Sequence, residues 1–197
     1  KVSASIATGG SETTFYSTST ASAGSWYYIV ITWDGSNGKI YFNGSLETTS
    51  SIGSRKSNSV GMIFGSRFNN AASKNFNGVM DEVAVWSRAL TQAEIQSVMN
   101  AIIDPGQETG LVGYWRFDEN SAITAHDLSG YGNHGTIYGA SWNSDVKVFN
   151  PKVTLASISG SYTNLSTIPI TATLTHAVSD FTANDITVNN GTVSDFT

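Results

Sequence analysis

Asp81 and Glu82 stand side by side in the stretch Val79–Trp86, and two adjacent carboxyl groups invite acid–base chemistry. Glycoside cleavage needs two carboxyl groups flanking one glycosidic oxygen. Neighbours in a strand point to opposite faces, so this pair cannot flank one bond, and no E-x-D-x-E alternation occurs elsewhere in the chain. The sequence therefore predicts no catalytic residue. Binding of a hard cation is a better use of such acids, because turns rich in Gly, Asp and Asn present carboxylate and carbonyl oxygens together. His126 and His134 flank Asp127, but their spacing matches no zinc pattern, and there is no cysteine to assist. No nucleophile elbow, P-loop or dinucleotide glycine motif is present.

Aromatic faces beside polar side chains suit sugars. Trp33, Trp86, Trp115 and Trp142 lie at strand positions with apolar neighbours and are expected in the core. Tyr131 and Tyr138, with Asn133 and His134 near them, are the expected ligand-binding residues, together with the polar loop holding Arg67, Asn69 and Asn70. Asn43, Asn164 and Asn190 head formal glycosylation sequons, which arise readily by chance in a chain this rich in Ser and Thr.

The 197 residues are 40% hydrophobic and only 13% charged, with 19 glycines and no cysteine. That profile suits β-sandwiches with polar turns. A net charge of −5 argues against nucleic acid and anionic membranes as partners, since both reward clustered Lys and Arg. No apolar run approaches the ~20 residues that span a bilayer, so membrane insertion is not expected. The sequence begins at Lys1, inside a strand pattern, and is expected to be a piece of a longer precursor.

These residues need rigid elements to position them. Thr91 stands three residues before Glu94 in a capping box, and Ile95, Val98, Met99 and Ile102 repeat at helical spacing up to Asp104-Pro105-Gly106. One short amphipathic helix is predicted, lying across a sheet edge or end. Strands are predicted at Val2–Ala7 and Thr13–Ser17 around Gly9-Gly10, and at Ser25–Trp33, which has apolar residues on both faces and reads as a central strand. Asp34–Gly38 turns the chain into Lys39–Asn43, and further strands are expected at Leu46–Thr49, Val60–Phe64 and Val79–Trp86. Beyond the helix come Leu111–Phe117, which alternates as a half-buried strand, and His134–Trp142. After Pro151 the pattern changes to Val153–Leu155, Ile168–Leu174 and Ile186–Val188.

FNGVMDEVAVWSRALTQAEI at Phe76–Ile95, with SWYYIVITWDGSNGKIYFNG from Ser25 and GLVGYWRFDENSAITAHDLSGYGNHGTIYGASW from Gly110, resembles the bacterial laminin-G-like, concanavalin A-like domains. The stretch from Val153 resembles bacterial immunoglobulin-like repeats. The resemblance implies an all-β chain, with an antiparallel two-sheet jelly-roll sandwich carrying the one helix at residues 1–147 and a partial Ig-like sandwich at 148–197. A full Ig-like sandwich needs ~7 strands in ~100 residues. The strands after the helix open the domain in many family members, so the order here is expected to be circularly permuted. Strands missing from the front would come from neighbouring domains of the precursor or from a partner. The resemblance also implies structural calcium, with Asp81 and Asp127 carried over as ligands and Asp118 third; the alternatives are a turn cap for Asp81 and an Asx-turn with Ser129-Gly130 for Asp127. The role implied is non-catalytic adhesion, through a glycan or surface polymer, by a secreted or cell-surface protein. A spacer in a stalk, or a carbohydrate-binding module attached to a polysaccharide-degrading enzyme, are the competing readings.

Overall fold

The computed structural model describes residues 1–7, 12–53, 61–66, 75–144, 153–157, 168–174, 182–183, 186 and 192–194. The chain divides into two compact units, Lys1–Val148 and Phe149–Thr197. The first carries strands β1 (Ser3–Ala7), β2 (Glu12–Tyr16), β3 (Ile29–Trp33), β4 (Asn37–Phe42), β5 (Ser45–Ser51) and β6 (Val83–Trp86), helix α1 (Gln92–Val98), then β7 (Leu111–Trp115), β8 (Thr124–Ala125) and β9 (Gly135–Thr136). The second carries β10 (Val153–Ser157) and β11 (Ile170–Leu174). Every pairing is antiparallel, in the order β1-β2, β3-β4-β5, β6-β7, β8-β9 and β10-β11. The class is all-β with one short helix, and the described strands join in pairs and one triplet.

The central strand is β4, not the Ser25–Trp33 strand. Ile40 is fully buried on one face with Ala4, Phe15 and Ile52, against which Ile6 and Trp33 pack. On the other face Tyr41 joins Leu90 and Ile95, with Tyr28, Val30 and Trp86 against them. Alternation places successive residues of β4 in two different cores. Among the described residues β3, with apolar residues on both faces, has one hydrogen-bonded neighbour, and Ile31 is 49% exposed. At Gly38 a Cβ would lie 2.2 Å from Ile52 Cδ1 and 2.7 Å from Phe15 Cζ, so only glycine lets that core close.

Helix α1 begins as its sequence demands. Thr91 Oγ1 accepts the Glu94 N–H, and Glu94 Oε2 accepts the Thr91 N–H at 2.7 Å, which completes the capping box. Ile95 and Val98 are buried, and Gln96 Nε2 donates to the Gly44 carbonyl, so the helix lies over the turn after β4. It ends at Val98 with Met99 as cap, leaving Ile102 outside. Asp104 and Pro105 already commit the following chain to a turn, with Gln107 N–H donating to the Asp104 carbonyl.

The cap also predicts an acid response. The Arg88 guanidinium, then the Thr91 amide and hydroxyl, hold the Glu94 carboxyl down at about 2, against 4.5 for the free group. A carboxyl depressed by folding supports the fold above its unfolded value and loses that support as pH falls through the folded one. Thermal unfolding is expected to show stability declining between pH about 4.5 and about 2, with a shallower decline in Glu94→Gln.

The β6–β7 pair is shorter at both ends than alternation suggests. β6 begins at Val83, not Val79, because Glu82 takes a left-handed backbone (φ 52°), and β7 stops at Trp115, two residues before Phe117 (φ 58°). Such conformations cost a non-glycine residue roughly 1–2 kcal/mol each. A bulge sets Trp86 opposite Leu111 while Ala84 faces Tyr114, so Leu111 and Tyr114 share one face and bury together with Val98 and Ile103. β7 is therefore buried on both faces instead of one. Gly61–Ile63 form no strand, although the Phe64 ring packs edge-on against Trp115 at 5.0 Å; Val60 lies outside the described residues. The predicted His134–Trp142 strand shrinks to β9, whose partner β8 the sequence did not announce. In the second unit β10 and β11 fall where expected; Gly9-Gly10, Asn164, Asn190 and most of Ile186–Val188 lie outside the described residues.

Candidate functional site

One edge of β7 pairs with β6, and the other is covered by a loop instead of a strand. Tyr114 N–H donates to Asp127 Oδ1 at 2.9 Å and its carbonyl accepts the Leu128 N–H at 2.8 Å. Asn133 Nδ2 donates to the Val112 carbonyl at 2.8 Å, while Trp115 Nε1 donates to the Asn133 carbonyl at 3.0 Å. Residues 127–134 thus satisfy an edge that would otherwise expose unpaired backbone groups.

Asp127 is the hub of this loop. It is 6% exposed, and besides Tyr114 its carboxylate accepts the Ser129 N–H and hydroxyl and the Asn133 N–H, at 2.8–2.9 Å. Burial alone would push its pKa up, but the Ser129, Tyr114 and Asn133 donors outweigh it and the group lies below its ordinary value. Four donors occupy the four lone-pair directions of a carboxylate, which is the Asx-turn arrangement extended across a strand edge.

The three aspartates named as cation ligands go separate ways. Asp81 Oδ1 accepts the Glu82 N–H, and Asp118 pairs with the Arg116 guanidinium at 2.8 Å. Among the described residues no group of three or more His, Cys, Asp or Glu is placed to hold a metal ion.

Asp81 and Glu82 are not strand neighbours on opposite faces, since both precede β6. Glu82 turns inward, accepting the Tyr114 hydroxyl and, at 3.1 Å, Arg116 Nε. Burial raises its pKa despite the Tyr114 and Arg116 donors. Burial, then the nearby Glu82 carboxylate, raises Tyr114 too, and burial with Glu82 and Glu108 pushes Tyr28 up to about 12. Tyr114 is therefore gripped twice, by Asp127 at its amide and by Glu82 at its hydroxyl. Sequence reading missed this second grip, although D-E-V before one strand and Y-W-R at the end of its partner were its trace.

The predicted ligand residues separate into two groups. Asn133 serves the loop, with its amide, N–H and carbonyl all engaged. Tyr131 is 67% and Tyr138 81% exposed. His134 faces His126 across the ribbon, ring centroids 5.3 Å apart, and its Nδ1 accepts the Asp127 N–H at 3.0 Å. Thr124 pairs with Thr136, and the Ile137 N–H donates to the Ile123 carbonyl, so the β8–β9 register continues outward. Alternation then sets His134, Thr136 and Tyr138 on one face, with His126 and Thr124 beside them. All five except the half-buried Thr124 are exposed. Arg67, Asn69 and Asn70 lie outside the described residues. Of the tryptophans, Trp115 is buried, Trp33 and Trp86 pack against the cores, and Trp142 is half-buried with its Nε1 on the Ala122 carbonyl.

Residues 1–96 match the family described as the concanavalin A-like lectin/glucanases superfamily, and residues 147–197 match the bacterial Ig-like domain. The loop and ribbon lie between the two matches. Over 83 residues the chain is 36% identical to the human Adhesion G-protein coupled receptor D1, a stretch covering 40% of this chain and 9% of the receptor. Among solved structures, a protein of Bacteroides ovatus ATCC 8483 provisionally named as carbohydrate binding is 27% identical, covering 66% of this chain and 41% of that one, with a TM-score of 0.49. An S-layer domain-containing protein of Clostridium thermocellum ATCC 27405 is 24% identical, covering 45% of each chain, with a TM-score of 0.36. The chain spans less than half the length of each of these relatives. The chain is thus similar to the concanavalin A-like lectin/glucanases superfamily over residues 1–96 and to the bacterial Ig-like domain over residues 147–197.

Proposed function

We propose that this chain is a non-catalytic adhesive segment of a secreted or cell-surface multidomain protein, and that its first unit binds a glycan or similar surface polymer on the outer face of the β8–β9 ribbon. The observation that carries this reading is Tyr138, 81% exposed, on a ribbon face shared with His134 and Thr136 and continuous with a loop bonded rigidly to β7. An exposed ring on a fixed backbone offers a stacking surface at little entropic cost. The lectin/glucanase family match supports the ligand class, and the Ig-like match and the stretch shared with an adhesion receptor support the surface setting. Among the described residues no helix is long and apolar enough to cross a membrane.

A glycan array probed with the full chain tests this. Specific binding is expected, and truncating the stacking ring in Tyr138→Ala is expected to weaken it about tenfold or more, as anchor aromatics in interfaces do. Uniform silence across the array would favour the spacer role.

A further inference from the structure

We infer that His134 is the residue that fixes the orientation of a sugar on this face, as an obligate hydrogen-bond donor through Nε2; this rests on the ribbon being the binding surface. Its Nδ1 accepts the Asp127 N–H at 3.0 Å. A nitrogen that accepts carries no proton, so neutral His134 must hold its proton on Nε2. The usual freedom of imidazole to exchange donor and acceptor is removed. Asp127 is itself held by four bonds to its buried carboxylate, so the amide that sets the tautomer cannot drift. The proton-bearing edge of the ring then lies away from the loop, on the exposed face that carries Tyr138 two strand positions beyond Thr136.

The chemistry presented is an aromatic plane and a donor of fixed polarity, with the Thr124 and Thr136 hydroxyls, which both donate and accept, between the two. This suits a neutral pyranose, whose apolar ring face can stack on Tyr138 while one ring or hydroxyl oxygen accepts from His134. The same tautomer argues against a transition metal on the His126–His134 pair, because His134 Nδ1 is engaged and Nε2 is protonated.

Two substitutions separate the parts of this role. In His134→Asn the side-chain oxygen sits where Nδ1 was and can still accept the Asp127 N–H, but the distal donor is gone. In His134→Gln the amide reaches the Nε2 position but abandons the loop. The test has two readouts on the full chain at about pH 8. Imidazole nitrogen NMR of the free protein is expected to show His134 protonated at Nε2; protonation at Nδ1 would overturn the inference regardless of binding. Titration with cellohexaose, xylohexaose and mannohexaose is expected to show binding of at least one, weakened about tenfold in His134→Asn, as loss of one well-oriented hydrogen bond would cause, and less in His134→Gln. Binding unchanged in His134→Asn would sink the donor role alone. If Tyr138→Ala and His134→Asn both leave the wild-type affinity intact, or none of the three sugars binds, the ribbon reading falls and takes the donor role with it.

Discussion

Replacing Asp127 by Ala is expected to lower the stability of the first unit by about 3 kcal/mol, the largest effect of any single polar substitution considered. Each buried donor left unsatisfied costs about 1–3 kcal/mol. The change strips an acceptor from the Tyr114 N–H, which lies within a buried strand, and from three donors of the loop, which water can partly re-satisfy. The loop would also release the edge of β7, adding to the loss. For a unit of this size the midpoint of thermal unfolding should fall by roughly 6–12 °C. Asp127→Asn, which retains one acceptor oxygen, should lose less. Unfolding followed by tryptophan emission reports the change directly, since Trp115 donates to the same loop. The fall is expected to be equal in calcium and in chelator, because protein donors already take every lone-pair direction. A loss confined to calcium-containing buffer would make Asp127 a metal ligand and support the cation expectation.

Removing the Glu82 side chain is the second large effect, about 2 kcal/mol for Glu82→Ala. Losing one partner of a buried ion pair commonly costs 3–5 kcal/mol, because the other charge is stranded. Arg116 is not stranded: its guanidinium is one-third exposed and keeps Asp118 at 2.8 Å. What remains is the Tyr114 hydroxyl, on a side chain only 1% exposed, without its acceptor. Tyr114→Phe added to Glu82→Ala should therefore cost little more, whereas additive losses would disprove the coupling. Glu82→Gly should be milder than Glu82→Ala by about 1 kcal/mol, since glycine adopts the left-handed backbone at position 82 without strain. The two carboxylates also pull in opposite directions on acidification. Asp127, depressed by folding, supports the fold above its unfolded value and fails as pH falls through its folded value. Glu82, raised by folding, contributes most below its unfolded value and loses that contribution as pH rises through the folded one. In Glu82→Gln the second dependence should vanish while the first persists.

Local chemistry was legible in the chain wherever a few neighbouring residues decide the outcome. Thr91 and Glu94 announced the helix start because a capping box closes within four residues. Asp34 announced the β3–β4 turn, where its carboxylate accepts the Ser36 and Asn37 amides. β-branched and aromatic runs marked most strands and, with the family resemblance, the all-β class. Tertiary structure decided what no local pattern encodes. Both β3 and β4 carry apolar residues on two faces, but only pairing order makes β4 the central one of the described β3-β4-β5 sheet, while Ile31 on β3 stays 49% exposed. A one-residue bulge at Val112 turned Leu111 onto the face of Tyr114, against simple alternation. Glu82 looked like a neighbour of Asp81 in a strand; a left-handed backbone sent it instead to Tyr114 and Arg116, 32 and 34 residues away. Tyr138 and His134 could be named from residue type, but the shared face, and the tautomer that Asp127 imposes on His134, depend on the β8–β9 register, because a hydrogen bond between distant residues exists only once the backbone has brought them together.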